Sequence, residues 1–231
     1  MKVIILAAGR GSRLGKFTEN LPKSFVMFRG KPLITWILES VKKYFELKDI
    51  YIVVGYKSKK FETLGINLIH NSEWERSNIM GSLIVADEIL STTNCLVIYS
   101  DIYFEDDAIK LIKESPAPAV LNLVNWYKIW SKRFPDPLVD LENFEYNDKT
   151  LELTRIGKRA SSIELIRGQF AGIFTTTPDL WQIIKLVNRD LKIIDTTSAL
   201  QKAITEAAKI SVVNYSGNWA EIDTLMDLEQ Q

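Results

Sequence analysis

The chain has 231 residues, 46% hydrophobic and 25% charged, which suits one sizeable folded domain and not a disordered or fibrous chain. Its 29 basic and 29 acidic residues cancel, so no whole-molecule field favours nucleic acid or an anionic membrane, and any basic function must be local. A single cysteine excludes an internal disulfide framework and fits a reducing compartment.

Residues 2–7, KVIILA, are β-branched and almost wholly apolar, the pattern of a strand buried on both faces of a parallel sheet. The run is too short for a signal peptide, and no stretch approaches the ~20 apolar residues of a membrane span, so a cytoplasmic location is expected. A glycine-rich stretch, LAAGRGSRLGKF (6–17), comes next, followed by helical spacing over 31–45 with Pro32 near the helix start. Strands are predicted at 49–55 and 66–70, a helix over 77–90, and a strand over 94–101 ending in Asp101. A helix over 106–115 and a strand over 117–124 follow. Such alternation predicts βαβ units and a mostly parallel, doubly wound α/β sheet, whose ligands sit beyond the carboxyl ends of the strands.

The second half changes character. Residues 125–165 hold Pro135, Pro137, the aromatic run NWYKIW and strand-like runs at 151–156 and 161–166, which read as an antiparallel or irregular insertion beside the crevice. A strand over 167–177, a helix over 177–187 with Thr177 as N-cap and Pro178 at its first position, and a helix over 196–209 are predicted next. Strands over 210–215 and 218–223 and a closing segment over 224–230 complete a single domain, 1–231.

The glycine stretch fails two familiar templates. A Walker A loop would place its first glycine at Arg10 and a hydroxyl where Phe17 stands. A dinucleotide fingerprint fits Gly9 and Gly11, but its third glycine falls on Leu14, and no acid ends the second strand. What remains is an open loop with Gly9, Gly11, Arg13 and, further on, Lys23. The glycines let backbone N–H groups approach a triphosphate, and the two cations can neutralise it; taken singly, each cation also reads as a solvated loop charge. Cys95, within CLVIYS, reads as a core residue, and the lone histidine, His70, as structural.

LAAGRGSR followed by LPKSFVMFRGKPLI resembles the signature of the nucleotidyltransferase superfamily, L-A-A/G-G-x-G-x-R…P-K…G-K-P-L-I, and VIYSD and WAEID are similar to its two metal-binding carboxylate segments. The resemblance implies a Rossmann-like core with helices on both faces of the sheet and transfer of a nucleotidyl group to a phosphorylated acceptor with release of pyrophosphate. It places Leu6, Ala7, Ala8 and Gly9 along the nucleoside and Gly11, Ser12 and Arg13 on the phosphates. Lys23 falls at the α-phosphate, with Arg13 and Lys23 as the catalytic cations, and Asp101 and Asp223 fall on Mg²⁺. For Asp101 and Asp223 the plainer reading is a helix cap.

The stretch HNSEWERSNIMGSLIVA resembles N-x-x-(W/Y)-x-x-x-N-x-x-x-S-L of cytidylyltransferases acting on small phosphorylated or phosphonate acceptors, which implies CTP as donor and puts Asn78 and Ser82 toward the ligands. Asn78 equally suits a helix cap. By the same resemblance the nucleotide-binding part is about 1–124 and the acceptor-binding insertion about 125–175. Lys158, Arg167, Trp126 and Glu221 are the candidate acceptor contacts. Trp126, Tyr127 and Trp130 suit either an ammonium cage or plain packing. The alternatives are a sugar-1-phosphate thymidylyl- or uridylyltransferase and a non-catalytic nucleotide-binding regulatory protein; the expected partners are the nucleotide and the acceptor alone, with a homodimer left open.

Overall fold

β1 (Lys2–Ala7) sends Val3, Ile5 and Ala7 into one hydrophobic core, while Ile4, Leu6 and the following Ala8 enter a second core on the opposite face. That two-residue alternation, apolar on both sides, makes it an interior strand. The computed structural model describes residues 1–229; Gln230, the end of the predicted closing segment, and Gln231 lie outside the described residues.

After the glycine stretch come a short hairpin of β2 (Met27–Phe28) and β3 (Lys31–Pro32), α1 (Leu33–Lys42), β4 (Ile50–Val54), β5 (Asn67–His70), α2 (Ile79–Ile84) and α3 (Asp87–Leu90). β6 (Cys95–Tyr99), β7 (Ile102–Phe104), α4 (Asp107–Glu114), β8 (Ala119–Leu123) and α5 (Trp126–Arg133) continue the chain. The remainder is β9 (Glu142–Tyr146), β10 (Leu153–Arg159), β11 (Gln169–Thr176), α6 (Pro178–Val187), α7 (Thr196–Thr205), β12 (Ser211–Tyr215), β13 (Trp219–Glu221) and α8 (Leu225–Glu229).

Among the described residues, seven strands form the central sheet in the order β12-β8-β11-β6-β1-β4-β5. All run parallel except β11, which is antiparallel to both of its neighbours, β6 and β8. Side chains of α1, α4 and α5 enter the core on one face, and those of α2, α6 and α7 enter the other. This is the Rossmann-like, mostly parallel sheet with helices on both faces, and β9 and β10 form a small antiparallel pair beside it.

The structure departs from the sequence reading in several places. The predicted helix over 77–90 breaks at Ala86 (φ −99°, ψ 19°) into α2 and α3, where Asp87 turns to bond Trp181 Nε1 and Lys185 Nζ, each at 2.7 Å. Residues 161–166 hold a 3-10 turn capped by Ser162 where a strand is expected. The start of the insertion is helix α5, not strand or irregular chain. The range given to the insertion ends on β11, which belongs to the central sheet. Thr177 does cap α6, accepting a hydrogen bond from Leu180 N (3.2 Å) with Pro178 at the first turn. Cys95 is fully buried, and burial pushes its thiol up to about 11, so it stays a protonated core residue.

Candidate active site

The two carboxylate segments meet through a small antiparallel pair outside the main sheet. β7 and β13 pair with Ile102 opposite Glu221 and Phe104 opposite Trp219. Just past that pair, Ile222 N donates to Asp101 O at 2.9 Å. The end of β13 is therefore pinned beside the start of β7, with Asp101 at the carboxyl end of β6. Oxygen atoms of Asp101, Glu221 and Asp223 lie within 4.8 Å of one another, and Asp101 Oδ1 is buried without a hydrogen-bond partner. A buried, unpaired carboxylate oxygen beside two more carboxylates is a donor set suited to a hard divalent cation.

Neither aspartate acts as a cap. Asp106 and Asp107 open α4, and Asp227 takes the exposed backbone donors at the other segment: its Oδ2 accepts from Asp223 N (3.0 Å), Thr224 N (2.8 Å) and Thr224 Oγ1 (2.9 Å). The carboxylate of Asp223 is left facing the site. From α5, the buried Arg133 donates to Glu221 Oε2 at 2.8 Å and to Asp227 Oδ1 at 2.9 Å, and so ties both ends of this segment together.

Lys23 Nζ donates to Asp101 Oδ2 at 2.7 Å and also to Asp223 Oδ1, while Arg13 Nη1 lies 2.9 Å from Asp223 Oδ2. Burial works against the Lys23 charge, but the two carboxylates outweigh it and hold the ammonium above its ordinary range. For Glu221 the balance is reversed: burial, with Asp223 and Asp101 nearby, pushes its carboxyl up to about 7 against the pull of Arg133 and Lys23. The glycine stretch makes room for the lysine. Gly11 has φ +72°, and a Cβ there would lie 2.7 Å from Lys23 Cβ, so the loop passes against the lysine stem only because position 11 lacks a side chain. Residues 12–18 form 3-10 turns, anchored by fully buried Leu14 and by Thr18 Oγ1 donating to Gly11 O at 3.0 Å.

A cavity of about 300 Å³ opens on this side, lined by Leu6, Ala8, Gly9, Gly11, Arg13, Lys23, Asn78, Ser82 and Asp101 from the sequence reading, together with Trp74, Ser77, Ile79, Tyr99 and Ser100. Ala7 points into the core on the opposite face, and Ser12 is exposed and outside this lining. Asn78 both lines the cavity and caps α2, its Oδ1 accepting from Ile79 N at 2.7 Å. A second cavity of about 240 Å³ lies across the carboxylates, lined by Glu221 and Asp223 and by Asp140, Glu142, Asp195, Tyr99, Trp130, Phe170 and Trp219, among others. Burial raises the Glu142 carboxyl, and Asp195 and Asp140 add to the rise. The rings of Trp130 and Trp219 are stacked at 5.7 Å.

Three of the expected acceptor contacts stand apart from this cavity. Lys158 and Arg167 are outside its lining, and the exposed Arg167 pairs with Asp148. Trp126 is buried in the core with Tyr127 edge-on to its ring. Glu221 does line the cavity and also joins the two aspartates. Sequence reasoning missed Trp74 and Ser77, although both lie inside the quoted HNSEWERSN stretch, and it missed Asp140, Glu142 and Asp195, which carry no local signal beyond turn and cap preference.

A glycine loop, a paired lysine and a carboxylate cluster thus gather at the strand ends of an open sheet, where folds of this kind bind their ligands. The MobA-like NTP transferase domain matches residues 3–126, more than half of the chain, and the chain belongs to that family of enzymes. It is 30% identical over 254 aligned positions to the CTP:phosphoglutamine cytidylyltransferase of Campylobacter jejuni, covering 100% of this chain and 99% of that one. Over 107 residues it is 41% identical to the choline-phosphate cytidylyltransferase of Streptococcus pneumoniae, covering 45% of each. In fold it matches the inositol-1-phosphate CTP transferase of T. maritima with a TM-score of 0.79 at 23% identity, over 98% of this chain and 91% of that one. No described helix is long and apolar enough to cross a membrane.

Proposed function

We propose that the chain transfers CMP from CTP to a small phosphorylated or phosphonate acceptor, releasing pyrophosphate, for decoration of a surface polysaccharide or lipid. The observation that carries this reading is the placement of Asp101, Glu221 and Asp223 between two cavities, one built around the glycine loop and the other around aromatic rings and carboxylates. The cytidylyltransferase relatives favour CTP and a phosphorylated acceptor over a sugar-1-phosphate pairing. The paired carboxylates argue against a silent regulatory protein, which has no chemical need for them.

An acceptor phosphate is already anionic near neutral pH, its second pKa being about 6, so the attack needs no general base. His70, exposed at the end of β5, is accordingly outside the site. Arg13 and Lys23 balance the charge of the triphosphate and of the departing pyrophosphate, and the glycine loop holds the chain of phosphates against them. Asp101, Glu221 and Asp223 would hold Mg²⁺, which supplies charge neutralisation at the reacting phosphoryl oxygens when bound. The protein's contribution is positioning and a preorganised field. Asp140, Glu142 and Asp195 in the second cavity favour an acceptor whose far end is cationic, with Trp130, Trp219, Tyr99 and Phe170 as apolar and π-face contacts for an ammonium group.

Pyrophosphate release measured with four nucleoside triphosphates against phosphocholine, aminophosphonates, phospho-amino acids and sugar-1-phosphates tests the reading. CTP with an amine-bearing acceptor should give the highest kcat/KM. Turnover confined to UTP or dTTP with a sugar-1-phosphate would overturn it.

A further inference from the structure

The first asparagine of the HNSEWERSN stretch has no part in the mechanism above, yet it is among the most enclosed polar side chains near the site. Asn71 is 2% exposed and sits just past β5, its backbone N–H held by Val54 O at 2.8 Å. Its side-chain Oδ1 accepts from Glu73 N at 3.0 Å, which fixes which end of the amide is oxygen, because a backbone N–H can only donate. The Nδ2 group must then face the other way. There it donates one hydrogen to Ser77 Oγ at 2.9 Å and the other to Ser82 Oγ at 3.1 Å.

Both serines line the nucleotide cavity together with Trp74, Leu6 and Ala8, and their hydroxyls bond Asn71 and not the ion-paired cluster of Arg13, Lys23, Asp101 and Asp223. With an Asn71 N–H on each oxygen, and with no protein acceptor for either hydroxyl proton among the described residues, both protons are free to point into the cavity. The charged cluster suits the phosphates, which leaves the uncharged serines for the base. A cytosine presents two adjacent acceptors, O2 and N3. A uracil presents O2 as an acceptor but N3–H as a donor. To take uracil, one serine must accept that N3–H, and its own proton is then turned back into a buried wall whose nearest polar partner is itself a donor.

We propose that Asn71 is the positioning residue that selects cytosine over uracil, by making the hydroxyls of Ser77 and Ser82 a pair of donors. The inference rests on the nucleotide reading of this cavity and adds to it the origin of base choice. It makes the selectivity a property of hydrogen-bond polarity and not of cavity size. An unpaired buried polar group on the wrong base is the kind of penalty that gives strong discrimination where a change of volume gives little.

The test is calorimetric titration of the whole chain with CTP, UTP and 3-deaza-CTP, in which N3 is replaced by C–H; none of these measurements needs the acceptor. Wild-type protein should bind CTP at least about tenfold more tightly than UTP or 3-deaza-CTP. Asn71→Asp keeps the shape but offers only acceptors, so both serine protons turn toward the carboxylate and their lone pairs face the base. That variant should lose the CTP preference and favour UTP. Asn71→Asp with an unchanged CTP-to-UTP ratio overturns the inference, as does wild-type protein that binds 3-deaza-CTP as well as CTP; the latter measurement holds even where the variant folds poorly. Wild-type protein that binds neither CTP nor UTP overturns the nucleotide reading itself, and this inference with it, whereas CTP binding with an unchanged variant ratio removes the inference alone.

Discussion

The cavity proposed for the nucleotide takes its walls from short contiguous segments, 6–13, 74–82 and 99–101, together with Lys23. The cavity proposed for the acceptor collects one to three residues at a time from 99 to 223, contributed by β6, β7, α5, the turn before β9 and its first residue, β11, the start of α7, and β13 with the residues after it. Backbone and glycine dominate the first, and carboxylates and rings dominate the second. A triphosphate is common to every reaction of this type and can be met by a loop that offers N–H groups. An acceptor varies, and the site proposed for it is written in side chains brought together from many separate elements.

The largest effects should come from the boundary between the two. Asp101→Ala and Asp223→Ala should each abolish pyrophosphate release with little change in melting temperature, since Lys23 keeps one carboxylate partner in either variant; residual turnover near the wild-type level would remove the carboxylates from the chemistry. Lys23→Ala should lower kcat by about two to three orders of magnitude, as expected for loss of one preorganised charge. Its effect on the acceptor KM should be small, and a selective KM change would move Lys23 to the other cavity.

On the acceptor side, Glu142→Gln should raise KM for an amine-bearing acceptor by about tenfold while leaving KM for CTP unchanged. Acidification should reproduce this effect at a pH above the ordinary carboxylate range, because burial raises the Glu142 carboxyl and protonation removes its charge. Lys158→Ala and Arg167→Ala should change kcat/KM by less than about threefold, as exposed charges away from either cavity. A large loss in either variant would restore that residue as an acceptor contact.

The same division explains what could be read from the sequence. The parallel strands announced themselves as continuous apolar runs, and the glycine loop, Lys23, Asp101 and Asp223 were singled out through their resemblance to a family signature whose order this chain keeps. The direction of β11 did not, because an apolar strand reads the same whichever way it runs. Asp195 looks like a helix cap and is one, accepting from Ser198 N at 2.7 Å, while also lining the acceptor cavity. Glu221 alternates with Asp223 along one short strand end, and only the pairing of β13 with β7 shows that both face Asp101. Asn71 sits in plain view within a quoted motif, but its use depends on which way its amide is turned, and that is fixed by a backbone hydrogen bond.

The pairing of β7 with β13 also sets a timetable. Asp101 is synthesised more than a hundred residues before Glu221 and Asp223, and the strand that brings those two to it is the last in the described chain. A nascent polypeptide can form the glycine loop, α2 and β6 before Trp219–Glu221 has left the ribosome. Until Trp219–Glu221 emerges, Asp101 has no companion carboxylates. A growing chain therefore has the walls of the cavity around the glycine loop well before it has the full cluster of three carboxylates.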